Sequence, residues 1–131
     1  MISSPANPVL RHIRDLVAAE SMAQQPDAQL LTRFTARHDQ GAFEALVRRH
    51  GPLVLGVCRR LLHNEHDAED AFQATFWVLA RKAGSIGKHG SVGSWLYQVA
   101  YHVALKARAR AATRAQHERR AGRARALRAT W

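Results

Sequence analysis

Glu69, Asp70, Gln73 and Trp77 fall on one side of a single helical repeat and form the densest group of reactive or recognition-capable side chains in the sequence. Adjacent carboxylates diverge by about 100° on a helix, so Glu69 and Asp70 do not form an acid–base pair. A tryptophan on the polar side of an amphipathic helix is not explained by burial. Indole joins a large apolar body to a single donor, which suits a surface covered by a protein partner. The other cluster is His63-x-x-His66, with Asp67 and Asp70 nearby. Asn64 breaks the helix between the two histidines and no fourth ligand follows at a metal-binding spacing, so no metal site is expected. Gly87, Gly90 and Gly93 repeat as G-x-x-G-x-x-G, which is neither a P-loop nor a dinucleotide fingerprint. The residues point to no catalytic site and no cofactor; an enzyme is not expected.

A second group lies further along. Trp95 and Tyr97 stand beside the glycine loop, and Gln98, Tyr101, His102 and Leu105 share the polar side of the helix that follows. Lys106, Arg108 and Arg110 flank them, with Lys88, His89 and Ser94 in and after the loop. Aromatic rings interleaved with amides and cations suit single-stranded nucleic acid. Unstacked bases lie on the rings at about 1–3 kcal/mol each, while Lys and Arg follow the phosphates. Trp95 has an equally good alternative as a core residue, because large aromatics are mostly buried.

These side chains need helices to position them, and the apolar periodicity supplies helices throughout. Residues 9–24 place Val9, Ile13, Leu16 and Val17 at helical spacing between Pro8 and Pro26, as an extra N-terminal helix. Asp27 is expected to cap a short helix carrying Leu30, Leu31 and Phe34. Residues 42–63 bring Phe43, Leu46, Val47, Val54, Val57, Cys58 and Leu61 to one side, with a kink or a break into two pieces expected at Gly51-Pro52. Asn64, with Asp67 three residues on, opens the next helix. Its buried stripe is Ala68, Phe72, Thr75, Phe76, Leu79 and Ala83, and Gly84 is expected to end it. The last core helix starts near Ser94 and buries Leu96, Val99, Ala100, Val103, Ala104 and Ala107. The fold class is all-α, a compact helical bundle with an extra N-terminal helix and a basic C-terminal tail.

Composition sets the bounds. The chain has 131 residues, enough for one modest core. Cys58, the only cysteine, rules out a disulfide framework and reads as a small buried hydrophobe. Arg11, Arg14 and Asp15 interrupt any secretory signal, and no apolar run is long enough to span a bilayer, so a cytoplasmic protein without a membrane partner is expected. The formal charge of +10 is uneven: from Lys106 onward nine Lys/Arg stand against Glu118 alone. Runs such as KARARAATRAQ favour helix but have almost nothing to bury, so this stretch reads as a continuation of the preceding helix that frays into solvent. It is either a polyanion-binding tail or a solvated linker.

Taken together, DAQLLTRF, GAFEALVRRH, HDAEDAFQATFWVLARKA and SVGSWLYQVAYHVALKARAR resemble the second conserved region of bacterial RNA polymerase sigma factors of the extracytoplasmic-function group, over about residues 27–115. The D-A-E-D-x-x-Q-x-x-F core, followed at this distance by W-L, carries the resemblance. It implies a sigma region 2 at 27–112, after an extension at 1–26 and before a basic linker at 113–131. It also implies docking on the clamp helices of core RNA polymerase through Asp67, Glu69, Asp70, Gln73 and Phe76, with Trp77 added. The loop and the W-L helix would take the melted −10 strand of promoter DNA through Lys88, His89, Ser94, Trp95, Tyr97, Gln98, Tyr101, His102, Lys106, Arg108 and Arg110. An anti-sigma protein is a further partner the resemblance allows. His102 stands where the family often has a small polar residue. The −35-reading second domain of the family is not expected within these residues. Two rivals remain: a nucleic-acid-binding module acting through its basic tail, and a polymerase-binding regulator that does not read DNA.

Overall fold

The structure is a computed structural model and describes residues 7–86 and 90–130. Five helices follow one another: α1 (Pro8–Ala23), α2 (Asp27–Arg37), α3 (Gln40–Leu61), α4 (Glu65–Ile86) and α5 (Val92–Thr130). There is no strand among the described residues. α3, α4 and the first half of α5 form the centre, α2 lies across α3 and α4, and α1 rests on α3 alone among the principal contacts.

Local chemistry explains each boundary. Asn7 Oδ1 accepts from the N–H groups of Val9 and Leu10 at 3.0 and 3.3 Å, and Pro8 occupies the first helical position, where its missing N–H costs nothing. α2 ends at His38, held left-handed at φ 52, and Asp39 at once caps α3 by accepting from Ala42 N–H at 3.2 Å. Asn64 opens α4 as expected, its Oδ1 accepting from Asp67 N–H at 3.1 Å. Ser91 Oγ does the same for α5, accepting from Ser94 N–H at 3.1 Å.

Four boundary expectations change. Asp27 does not cap α2: it is the first helical residue, and the cap position belongs to Pro26, which offers no side-chain bond. Its carboxylate instead meets Arg49 Nη1 at 2.7 Å and His50 Nε2 at 2.9 Å, while Arg49 Nη2 donates to the Ala23 carbonyl at 2.9 Å. One arginine of α3 therefore ties the end of α1 to the start of α2. Gly51-Pro52 does not divide α3, which is assigned as one helix with Pro52 inside it. Pro52 lies on the solvent side, where water can serve the carbonyl its ring leaves unbonded. Gly84 does not end α4, which continues until Ile86 is buried. The basic stretch does not fray within the described residues: α5 is one 39-residue helix running to Thr130.

The core is built of small and medium apolar residues. Leu30, Leu46, Val54, Leu79, Ile86 and Leu96 are fully enclosed, and Ala42, Ala68, Ala100 and Ala104 have no exposed surface. Among the described residues Thr75 is the one buried polar side chain, and its hydroxyl donates to the Ala71 carbonyl at 2.8 Å, so it carries no unpaired group. Cys58 is buried, and burial pushes its thiol above the ordinary range. Phe34 and Phe43 join α2 to α3 with ring centroids 4.9 Å apart. The α1 stripe is the exception: Val9, Leu10, Ile13, Leu16 and Val17 are exposed, and only Met22 of this helix packs against the core.

Burial therefore separates two sets of apolar residues. Leu79→Ala is expected to lower unfolding stability by about 2–5 kcal/mol, as for enclosed leucines generally. Ile13→Ser should change it by no more than about 0.5 kcal/mol. Urea unfolding of the two variants checks both values, and a large loss at Ile13 would show that α1 belongs to the core.

Candidate functional site

α4 presents its polar side to solvent. Glu69, Gln73 and Trp77 project from successive turns, and Trp77 is 71% exposed despite its size. Asp70, Gln73, Ala74 and Trp77 line one shallow hollow. Gln73 and Trp77 continue into a second, apolar hollow floored by Phe72 and Phe76, with Phe34 and Phe43 behind. Phe76 is only 5% exposed and supports this surface from beneath. Its position on the helix belongs to the core stripe.

Asp67 also differs from its neighbours. Its carboxylate turns toward α5, where Arg114 Nη2 stands 3.8 Å from Oδ2. Asp67 and Asp70 share a cleft with Arg110 and Arg114, over an apolar floor that includes Ala71 and Val103. Asp70 is thus a ridge residue bordering both the cleft and the Trp77 hollow, and His66 Nε2 lies 3.7 Å from its Oδ2. Sequence periodicity did not signal the contribution of Arg114, Phe34 or Phe43. Periodicity tells which residues share a side of one helix, not which neighbouring helix stands opposite.

The start of α4 is fixed by an ion pair across the α3–α4 connection. Arg59 Nη2 donates to Glu65 Oε1 at 2.6 Å and Arg59 Nε to the same carboxylate at 3.1 and 3.2 Å. The hydrogen bonds from Arg59 hold the Glu65 carboxyl below its ordinary range, and Glu65 in turn raises Arg59.

The second group is spread along the first half of α5. Tyr97 and Tyr101 are exposed at 44% and 42%, with rings stacked at a centroid distance of 6.5 Å and 14° between planes. His102 meets Tyr101 edge-on at 6.3 Å. Gln98, Ser94, Lys106, Arg108 and Arg110 are exposed as well. Ser94 Oγ also accepts from Ser91 Oγ at 2.9 Å, so it is partly committed to the helix start. Trp95 takes a middle course: half-buried, it packs against the core while one edge remains open. Lys88 and His89 lie outside the described residues. Beneath this end of α5, the His50 ring is 3.6 Å from where a Cβ on Gly93 would stand, an ordinary van der Waals distance.

Residues 46–114 match the sigma-70 region 2 family. The chain belongs to that family. Among curated relatives, the chain is 33% identical over 83 residues to the RNA polymerase sigma-H factor of Pseudomonas aeruginosa, covering 63% of this chain and 42% of that protein. It is 33% identical over 82 residues to the ECF RNA polymerase sigma factor SigM of Mycobacterium tuberculosis, covering 63% and 41%. To the RNA polymerase sigma factor CarQ of Myxococcus xanthus it is 38% identical over 68 residues, covering 52% and 39%. The chain therefore aligns with about two-fifths of the length of each of these relatives. No solved structure matches it at the same level of significance. The region 2 span holds all of α4 and α5 as far as Arg114, and so both exposed groups. No helix among the described residues is long and apolar enough to cross a membrane.

The Arg59–Glu65 contact gives a titration test. In an NMR titration, Glu65 should protonate at lower pH than a free glutamate, and Arg59→Ala should return it to the ordinary range. Because the folded value is depressed, whatever stability this pair adds is present above the unfolded carboxyl pKa and is lost as pH falls through the folded one. An unchanged Glu65 midpoint in Arg59→Ala would remove the pair as the cause.

Proposed function

We propose that this region 2 acts as the polymerase- and promoter-engaging part of a sigma factor in transcription initiation. The observation that carries the reading is the polar side of α4, where an indole 71% exposed stands beside Glu69, Asp70 and Gln73 on a bundle that belongs to the family. A large exposed aromatic rimmed by charges and an amide has the composition of a protein-contact centre. In this reading Glu69, Asp70, Gln73 and Trp77 dock on the clamp helices of core RNA polymerase, Phe76 braces them from the core, and Asp67 positions α5.

The α5 tyrosines then receive the −10 strand as it melts. Tyr97 and Tyr101 supply stacking surfaces, Gln98 and His102 polar contacts to bases, and Lys106 and Arg108 the phosphate contacts, while Arg110 faces the cleft that holds Asp67 and Asp70. An unstacked base is costly, so its capture needs a surface already formed, and the parallel rings of Tyr97 and Tyr101 are consistent with that need. The protein would work in the cytoplasm without chemistry of its own. Residues 27–112 would form the region 2 body, 1–26 an extension and 113–131 a basic arm.

Two measurements test this. Asp70→Lys combined with Gln73→Ala should fold normally and weaken core polymerase binding by about 2–5 kcal/mol if the pair is desolvated on docking; wild-type affinity in a pull-down titration would refute the docking face. Tyr101→Ala should lower affinity for single-stranded −10-like DNA with little change in salt dependence. Lys106→Ala with Arg108→Ala should flatten the salt slope, since fewer counterions are released. Equal slopes for both sets would show that this side of α5 does not face DNA.

A further inference from the structure

α5 keeps its direction after leaving the bundle, so each side of its first half continues into the second. At about 100° per residue, Arg110, Arg114, Arg125 and Arg128 lie within about 60° of one another. Theirs is the side that Leu96 and Val103 turn toward the bundle. Arg108, Arg119 and Arg123 lie on the opposite side, within about 80° of one another and of Tyr97 and Tyr101. The inward set is partly engaged. Arg114 stands 3.8 Å from Asp67, and Arg110 lines the cleft that holds Asp67 and Asp70. The outward set is exposed and makes no ion pair among the described residues.

We propose that the outward side of α5 is a continuous DNA track, in which Tyr97 and Tyr101 take unpaired bases and Arg108, Arg119 and Arg123 take phosphates of the duplex adjoining them. The tyrosine end rests on the region 2 reading; the arginine end extends it to double-stranded DNA. The dimensions agree. Tyr101 and Arg123 are about 33 Å apart along a straight helix, close to one turn of B-DNA at about 34 Å. A lipid surface fits poorly. Membrane-surface helices set large apolar residues against their cations, and between Lys106 and Thr130 the only large apolar side chain is Leu127. Continuity with the stacked tyrosines favours a polyanion that also carries bases.

Two pairs of arginines provide a matched test. Arg119→Ala/Arg123→Ala and Arg125→Ala/Arg128→Ala each remove two charges from neighbouring turns, on opposite sides of the helix. Alanine preserves helix propensity, and far-UV circular dichroism confirms that both variants keep α5. Binding of the full chain is measured by fluorescence anisotropy across a salt series. The probes are a −10-like single strand, the same strand continued into duplex at one end, and the same strand continued at the other. Wild type should prefer one fork over the single strand and over the opposite fork. The outward pair should lose that preference and lower the salt slope on the preferred fork by about 2. The inward pair should stay within about twofold of wild type on all probes. Equal losses in the two pairs would reduce the arm to undirected charge and overturn the track. So would a wild type indifferent to the end carrying the duplex, or anionic vesicles bound as tightly as the preferred fork. A pull-down of core polymerase by wild type is scored separately, so failure of the sigma reading is distinguishable from failure of the track.

Discussion

Close approach of α3, α4 and α5 is the constraint on which the rest depends. Where the helices meet, many buried residues are alanines: Ala42, Ala45, Ala68, Ala71, Ala100 and Ala104. Helix separation follows the size of the side chains at the contact, so methyl-lined faces bring backbones near the lower end of the usual 8–10 Å range. Larger residues such as Leu46, Leu79 and Leu96 then fill the remaining space. Trp77, Tyr97 and Tyr101 stand on the solvent sides of α4 and α5, and Trp95 is half-buried against the core.

The same proximity accounts for the electrostatics. Antiparallel packing brings the acidic first turns of α4 beside the part of α5 where arginines begin, and the two charge runs meet in the cleft between Asp67 and Arg114. This pair is half open to water and contributes little stability. Its effect is orientational: with the inward arginines near carboxylates, the outward ones remain free.

Much of this was legible in the sequence, and the failures share one cause. Period-3.6 patterns identified all five helices, and Asn64 marked the start of α4 through a bond that is present. The same pattern put Glu69, Asp70, Gln73 and Trp77 on one exposed side. What it lacked was the neighbour. Phe76 could be read as core or as contact until burial assigned it to the core. Asp67 could not be separated from Glu69 without knowing that α5 runs past it. Asp27 had the composition of a cap, yet Arg49 and His50 of α3 claimed its carboxylate. Local rules found the elements; contacts distant in sequence decided where individual side chains went. At α1 the pattern predicted a helix correctly, but it could not say that the apolar stripe would face away from the core.

An unbroken α5 has a mechanical consequence. Beyond Arg114, which still stands beside Asp67, about 16 residues project, a rod of about 24 Å rooted in the bundle by one end. Such a rod is a lever: a tilt of about 10° at its root carries its tip about 4 Å, close to the rise of three helical residues. Small adjustments of α5 against Ala71 and Ala74 would therefore be magnified at the far end, and the stiffness of one hydrogen-bonded helix would transmit them without a hinge.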